Sequence, residues 1–148
     1  MINFSEERQI NILLIEDNPG DVRLILEAFR DSKINHKIHI ENNGEDALDF
    51  LYKVNNKMDA PSTDIILLDL NLPKIHGLEI LKKIKEDGQL KKIPVIVLTT
   101  SKAEEDILKS YENHVNCFIT KPEDFDKFVE IVKMIHDFWF SIARLPIQ

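Results

Sequence analysis

The stretch Ile65-Ile66-Leu67-Leu68-Asp69-Leu70-Asn71-Leu72-Pro73 decides the fold. Four consecutive large apolar residues deliver one aspartate, and Pro73 stops the element. Such a run, β-branched at its start, reads as a strand buried on both faces. A buried strand ends at the sheet edge, so Asp69 belongs at a carboxyl tip facing a crevice. Open α/β sheets carry their chemistry there.

The same pattern recurs outward on both sides. Ile10 to Ile15 holds five apolar residues in six and breaks at Glu16-Asp17-Asn18-Pro19-Gly20-Asp21. That is a strand, then a turn, with Asn18 a candidate N-cap and Pro19 in the first turn of a helix. Val22, Ile25, Leu26 and Phe29 follow at helical spacing. Lys37 to Glu41 alternates Ile38 and Ile40 with polar residues, a shorter and more exposed strand. After the Asn43-Gly44 turn, Ala47, Leu48, Leu51 and Tyr52 mark a second helix, and Lys53 to Thr63 reads as a loop. Beyond Asp69, Gly77 starts a helix carrying Leu78, Ile80, Leu81 and Ile84 and ending near Gly88. Ile93 to Leu98 is another apolar run, stopped by Thr99-Thr100-Ser101. The next helix, about Ala103 to Glu112, has Ile107, Leu108 and Tyr111 as its inward side chains. Val115 to Ile119 is a fifth strand closed by Thr120-Lys121-Pro122, and a last helix runs from about Glu123 to Phe140 or beyond.

Five strands alternating with five helices give a parallel sheet with right-handed crossovers. The fold class is α/β, a flavodoxin-like doubly wound sheet of order 2-1-3-4-5, with the strands around Leu13, Leu67 and Ile96 central. The 148 residues suit one domain, with a core of about 9–140 and a C-terminal extension at 141–148. Lys plus Arg is 19 against 26 Asp plus Glu, a formal charge of −7 without a basic cluster. That balance argues against direct nucleic-acid binding, which needs cations facing phosphates. Cys117 stands alone, which excludes an intrachain disulfide and suits a reducing compartment. Met1 to Glu7 lacks a signal peptide's layout, and no apolar run approaches the ~20 residues of a membrane span. The expected setting is the cytoplasm.

In this fold the carboxyl ends of strands one, three, four and five meet at one edge. They deliver Glu16 and Asp17, Asp69, Thr99 and Lys121. Three carboxylates within a few ångströms repel, and one would have a raised pKa. A hard divalent cation, Mg²⁺ or Mn²⁺, removes the conflict by taking carboxylate and water oxygens. A metal-bound aspartate can attack phosphorus and form an acyl phosphate, with an ammonium nearby to stabilise the transferring oxygens. Lys121 supplies the ammonium, and Thr99 offers a hydroxyl to a phosphoryl oxygen. Pro122 constrains the backbone, through a cis or a trans bond. Each residue alone has a plain reading as turn, cap or solvated charge. Their joint placement at strand ends is what points to a site.

These residues resemble the response-regulator receiver domain of two-component signalling over nearly the full chain. The matching motifs are Glu16-Asp17-Asn18, Leu68-Asp69-Leu70-Asn71-Leu72-Pro73 with Gly77, Leu98-Thr99, and Lys121-Pro122. The resemblance implies that Asp69 accepts phosphate from a histidine kinase's phosphohistidine and that Glu16 and Asp17 help hold Mg²⁺. It implies further that Asn71 lends its backbone carbonyl to the metal, Lys121 pairs with the phosphoryl group, and Thr99 reports its presence. Such a protein is a signalling phosphoacceptor that assists its own phosphotransfer and dephosphorylation, not a conventional enzyme. Asn-Pro-Gly-Asp at 18–21, Leu-Thr-Thr-Ser at 98–101 and Phe138-Trp139 look like the stand-alone regulators paired with phytochrome-type kinases. With too few residues beyond the fifth helix for an output domain, the expected output is an intermolecular contact or onward phosphotransfer.

Three positions depart from the family pattern. Thr100 replaces the usual small residue after the switch hydroxyl, Phe118 removes a tyrosine-hydroxyl readout, and His76 precedes the glycine where Asp or Asn is common. The alternative reading is a Mg²⁺-dependent phosphohydrolase with an aspartyl-phosphate intermediate. It is disfavoured because position 71 is Asn rather than a second carboxylate and no insertion is long enough for a cap. The five histidines are dispersed and read as surface or capping residues, Cys117 as packed, and Thr100 and Ser101 lack an activating histidine. In the last helix Phe125, Phe128, Val129, Val132, Ile135 and Trp139 form one stripe that packs on the sheet. Ile131, Met134, Phe138 and Ile142 form a second, roughly 100° round the helix. With Leu145-Pro146-Ile147 it predicts a homodimer through the last helix and C-terminal extension.

Overall fold

The structure, a computed structural model, describes residues 9–55 and 62–146. Five strands form one sheet in the order β2-β1-β3-β4-β5: β1 Ile10–Ile15, β2 His36–Glu41, β3 Ile65–Leu68, β4 Val95–Thr99 and β5 Cys117–Thr120. Every pairing is parallel. Five α-helices join them: α1 Pro19–Arg30, α2 Gly44–Asn55, α3 Gly77–Glu86, α4 Glu104–Glu112 and α5 Phe125–Asp137. This is the doubly wound architecture expected from the sequence, with β1, β3 and β4 central and β2 the more exposed edge.

Alternate side chains of each central strand point to opposite faces and build two cores. Leu13, Ile15, Ile66, Leu68, Val95 and Val97 pack under α2 and α3. Ile12, Leu14, Ile65, Leu67, Ile96 and Leu98 pack under α1 and α5. Each such side chain is worth about 1.5–3 kcal/mol when fully buried, so two-sided burial makes β3 a stiff rod. Asp69 leaves that rod with its N–H still bonded to Ile15 O at 3.0 Å. Gly77 fixes the path from the strand exit into α3: a Cβ there would lie 2.5 Å from Leu70 Cα and 2.6 Å from Asp69 O. Only glycine lets α3 start this close to the end of β3.

Several local expectations need correction. The second helix continues to Asn55, into the expected loop, while residues 56–61 lie outside the described ones. On α4, Leu108 and Tyr111 are more than half exposed, and the buried position is Ser110, whose hydroxyl donates to Asp106 O at 2.7 Å. With Ser110 buried and Ile107 half-buried, the inner face of this helix is thin, and Leu108 and Tyr111 face outward. Phe125 is also exposed, because it heads α5 beyond the carboxyl edge of the sheet. The regular helix stops at Asp137, and a π turn over Phe138–Ile142, closed by Ala143 N–H to Phe138 O, inserts an extra residue. That shift buries Phe140, which the helical stripe had not included. Leu145 packs back on the core under α5 rather than extending the outer face, and Ile147 lies outside the described residues. His136 is neither surface nor cap: its ring packs between Phe29 and Phe140 and bonds Ser32 Oγ at 2.5 Å. Among the described residues every peptide bond is trans, Lys121–Pro122 included. No helix among them is long and apolar enough to cross a membrane.

Candidate functional site

The ladder of the sheet continues one residue past the strands and fixes the site's backbone. Glu16 N–H bonds Glu41 O, Asp69 N–H bonds Ile15 O, and Lys121 N–H bonds Thr99 O. Side chains leaving these points converge. Glu16, Asp69, Thr99 and Lys121 are all buried, while Asp17 is exposed at the rim. Buried charge needs a partner, and here the partners are each other. Lys121 Nζ donates to Glu16 Oε1, to Asp21 Oδ2 at 2.8 Å, and stands 3.6 Å from Asp69 Oδ2. All five residues the sequence singled out at strand ends therefore meet at one edge.

Asp21 was missed as a site residue. It sits in the first turn of α1, where Asn18 Oδ1 accepts the N–H groups of Gly20 and Asp21 as the expected N-cap. The available signal was its place in the first turn of the helix that leaves the Glu16-Asp17 strand end, which keeps it at the same edge.

Burial raises Glu16 to about 9, the neighbouring Asp69 carboxyl adds to the rise, and Lys121 pulls against both. Burial would raise Asp69 as well. Its contact with Glu16, the Lys121 charge, the Thr99 hydroxyl and the Asn71 N–H outweigh that and hold it below the usual value. Burial opposes the charge on Lys121, yet Asp21, Glu16 and Asp69 raise it above the ordinary lysine value. The two carboxyls titrate as a pair, and the opposite directions of their shifts favour charge on Asp69 over charge on Glu16.

Asn71 N–H donates to Asp69 Oδ1 at 3.3 Å. Its side-chain amide reaches Thr100 Oγ1 at 3.1 Å and Thr99 Oγ1 at 3.4 Å. Thr100 therefore does more than add bulk: its hydroxyl is tied across the mouth of the site. His76 caps α3, its Nδ1 accepting from Leu78 N–H, and Phe118 packs partly buried against the core under α2 and α3.

The residues fit a divalent cation. Glu16, Asp17 and Asp69 each offer a carboxylate oxygen, all within 4.8 Å of one another. Glu16 Oε2 is buried without a hydrogen-bond partner, an orphan that a cation or a proton would satisfy.

Comparison with known proteins agrees with this fold. The family model of the response regulator receiver domain matches residues 12–133. Response regulator Rcp1 of Synechocystis sp. is 44% identical over 135 residues, which cover 91% of this chain and 92% of that protein. The solved Mn²⁺-bound form of Rcp1 superposes with a TM-score of 0.87 at 43% identity, over 93% of this chain and 99% of the other. The phosphorylated cyanobacterial phytochrome response regulator RcpA superposes with a TM-score of 0.88 at 46% identity, over 94% and 99%.

Proposed function

The chain belongs to the response-regulator receiver family, and on that premise we propose a phosphorylation switch whose acceptor is Asp69. An Asp69 carboxylate oxygen attacks the phosphorus of a histidine kinase's phosphohistidine. The new P–O bond forms as the P–N bond breaks, and the electron pair stays on the donor imidazole. The observation that carries this reading is the buried Asp69 carboxyl at the tip of β3 with the Lys121 ammonium 3.6 Å away. Lys121 would follow the charge onto the phosphoryl oxygens, and the Thr99 hydroxyl would donate to one of them.

Glu16, Asp17, Asp69 and the backbone carbonyl of Asn71 are the groups to hold Mg²⁺ or Mn²⁺. When bound, the cation supplies positive charge against the carboxylates and the incoming phosphoryl oxygens. Metal binding by the Rcp1 relative supports this part of the reading.

Signalling is a population shift in which Thr99 and Lys121 settle on the phosphoryl group and α4 repacks. Several kcal/mol of differential stabilisation are required. The thin inner face of α4, with Ser110 inward and Leu108 and Tyr111 outward, suits a low-stability element. A phytochrome-type kinase is the donor we favour, from the likeness to RcpA. Met134, Phe138 and Ile142, each at least half exposed on or after α5, support self-association through that surface. We place the protein in the cytoplasm, acting without nucleic acid.

The test is incubation with Mg²⁺ and a small phosphodonor, followed by intact mass. Wild type should gain one phosphoryl group, and neither Asp69→Asn nor chelator-treated wild type should gain any. No gain in wild type overturns the reading.

A further inference from the structure

Lys121 is the ammonium assigned above to the phosphoryl group, yet its nearest acceptors lie elsewhere. It donates to Glu16 Oε1 and to Asp21 Oδ2 at 2.8 Å, while Asp69 Oδ2 is the most distant of the three at 3.6 Å. Glu16 has a second duty, because it belongs to the trio of carboxylates able to hold a cation. Asp21 does not belong to that trio, so its hold on Lys121 has no competing claim. The Asn18 cap fixes its backbone, and the Lys121 side chain is only 5% exposed.

Resting on the reading of Asp69 as acceptor, we propose that Asp21 is a positioning residue that parks Lys121. A phosphoryl group arriving on Asp69 must take the ammonium from it. An ammonium has three protons to give. A phosphoryl group adds about two negative charges and three strong acceptor oxygens beside Asp69. The Asp21 carboxylate and those oxygens compete for the same donors, so each weakens the hold of the other. Asp21 therefore stabilises the resting arrangement relative to the phosphorylated one and sets how readily Lys121 is released. The same carboxylate returns the lysine to its resting place after hydrolysis.

The experiment uses the full chain with Mg²⁺ and beryllofluoride, a non-covalent mimic of a phosphoryl group on aspartate, titrated by calorimetry. Asp21→Asn should tighten the apparent Kd by about five- to tenfold, the scale of one partly buried ion pair. Asp21→Glu should return it towards wild type. The gain must run through the lysine, so in a Lys121→Met background Asp21→Asn should change the affinity less than about twofold, the residue of an exposed charge's general field. If Lys121→Met binds too weakly to measure, the double variant should stay equally weak. An unchanged Kd in Asp21→Asn overturns the proposal. So does an equal gain in both backgrounds, which would mean that Asp21 repels anions in general. Wild type that neither binds the mimic nor forms an acyl phosphate would instead overturn the assignment of Asp69.

Discussion

Two lysines are held at opposite edges of the sheet, and they differ in what surrounds them. Lys121 stands at the carboxyl edge among Glu16, Asp21 and Asp69. Lys85, near the end of α3, reaches the amino edge and donates to Lys91 O at 3.1 Å, Ile93 O at 2.8 Å and Asn116 Oδ1 at 3.0 Å. Burial opposes the charge on both. Around Lys85 the acceptors are neutral, nothing offsets burial, and it falls to about 8. Around Lys121 the carboxylates outweigh burial and raise it. The same side chain is a brace at one edge and a counter-charge at the other. Asn116 Oδ1 also accepts the Val95 N–H, so the Lys85 cluster ties the starts of β4 and β5 together.

The largest effect should come from Lys121→Met, which leaves Glu16, Asp21 and Asp69 without their cation. Breaking a buried pair of this kind costs about 3–5 kcal/mol. We expect a loss of about 3 kcal/mol in urea unfolding of the metal-free protein, with at least about tenfold slower phosphorylation, the cost of roughly 1.4 kcal/mol of transition-state stabilisation. Lys85→Met should cost less, about 1–2 kcal/mol, because it takes a donor from two backbone carbonyls, leaves Asn116 Oδ1 its Val95 N–H, and strands no anion. Its phosphorylation rate should match wild type, and an equal loss there would erase the distinction between the two lysines.

Lys85 also carries a pH signature. Its folded pKa of about 8 lies below the ordinary 10.5. Between those values the unfolded chain binds more protons, so folding stability rises with pH across that window. Wild type should gain on Lys85→Met from pH 8 to 10.5 and run parallel to it below pH 8. Parallel curves across the whole range would mean that burial does not strain this ammonium. The smallest effect on stability belongs to Met134→Glu and Phe138→Glu, which lie on the exposed face of the α5 region. Each should stay within about 0.5 kcal/mol of wild type while weakening self-association in sedimentation. A large loss of stability would show that this face packs within the monomer.

The strand cores and the residues at their tips were legible because two-sided burial writes an uninterrupted apolar run and a parallel fold aligns the exits. Glu16, Asp17, Asp69 and Thr99 follow from that, and Lys121 follows from the alternation that places a fifth, half-buried strand beside them. Asp21 and Lys85 did not, because both lie on helices where a charged residue has no periodic mark. One sits in the first turn of α1, the other among Lys82 and Lys83 on α3. The misplaced Leu108, Tyr111 and Phe125 share another cause. Helical spacing shows that residues lie on one side but not how far the sheet extends beneath them. At the end of α5 the π turn broke the period itself, and Phe140 became the buried ring instead of a continuation of the stripe.

Borohydride reduction of the phosphorylated chain tests the central claim most directly, because it converts an aspartyl phosphate to homoserine at the modified position. After reaction with a small phosphodonor and Mg²⁺, peptide mapping should find homoserine at position 69 and nowhere else. Homoserine at position 17 or 21, or phosphate retained on Thr99, Thr100 or Ser101, would contradict the account.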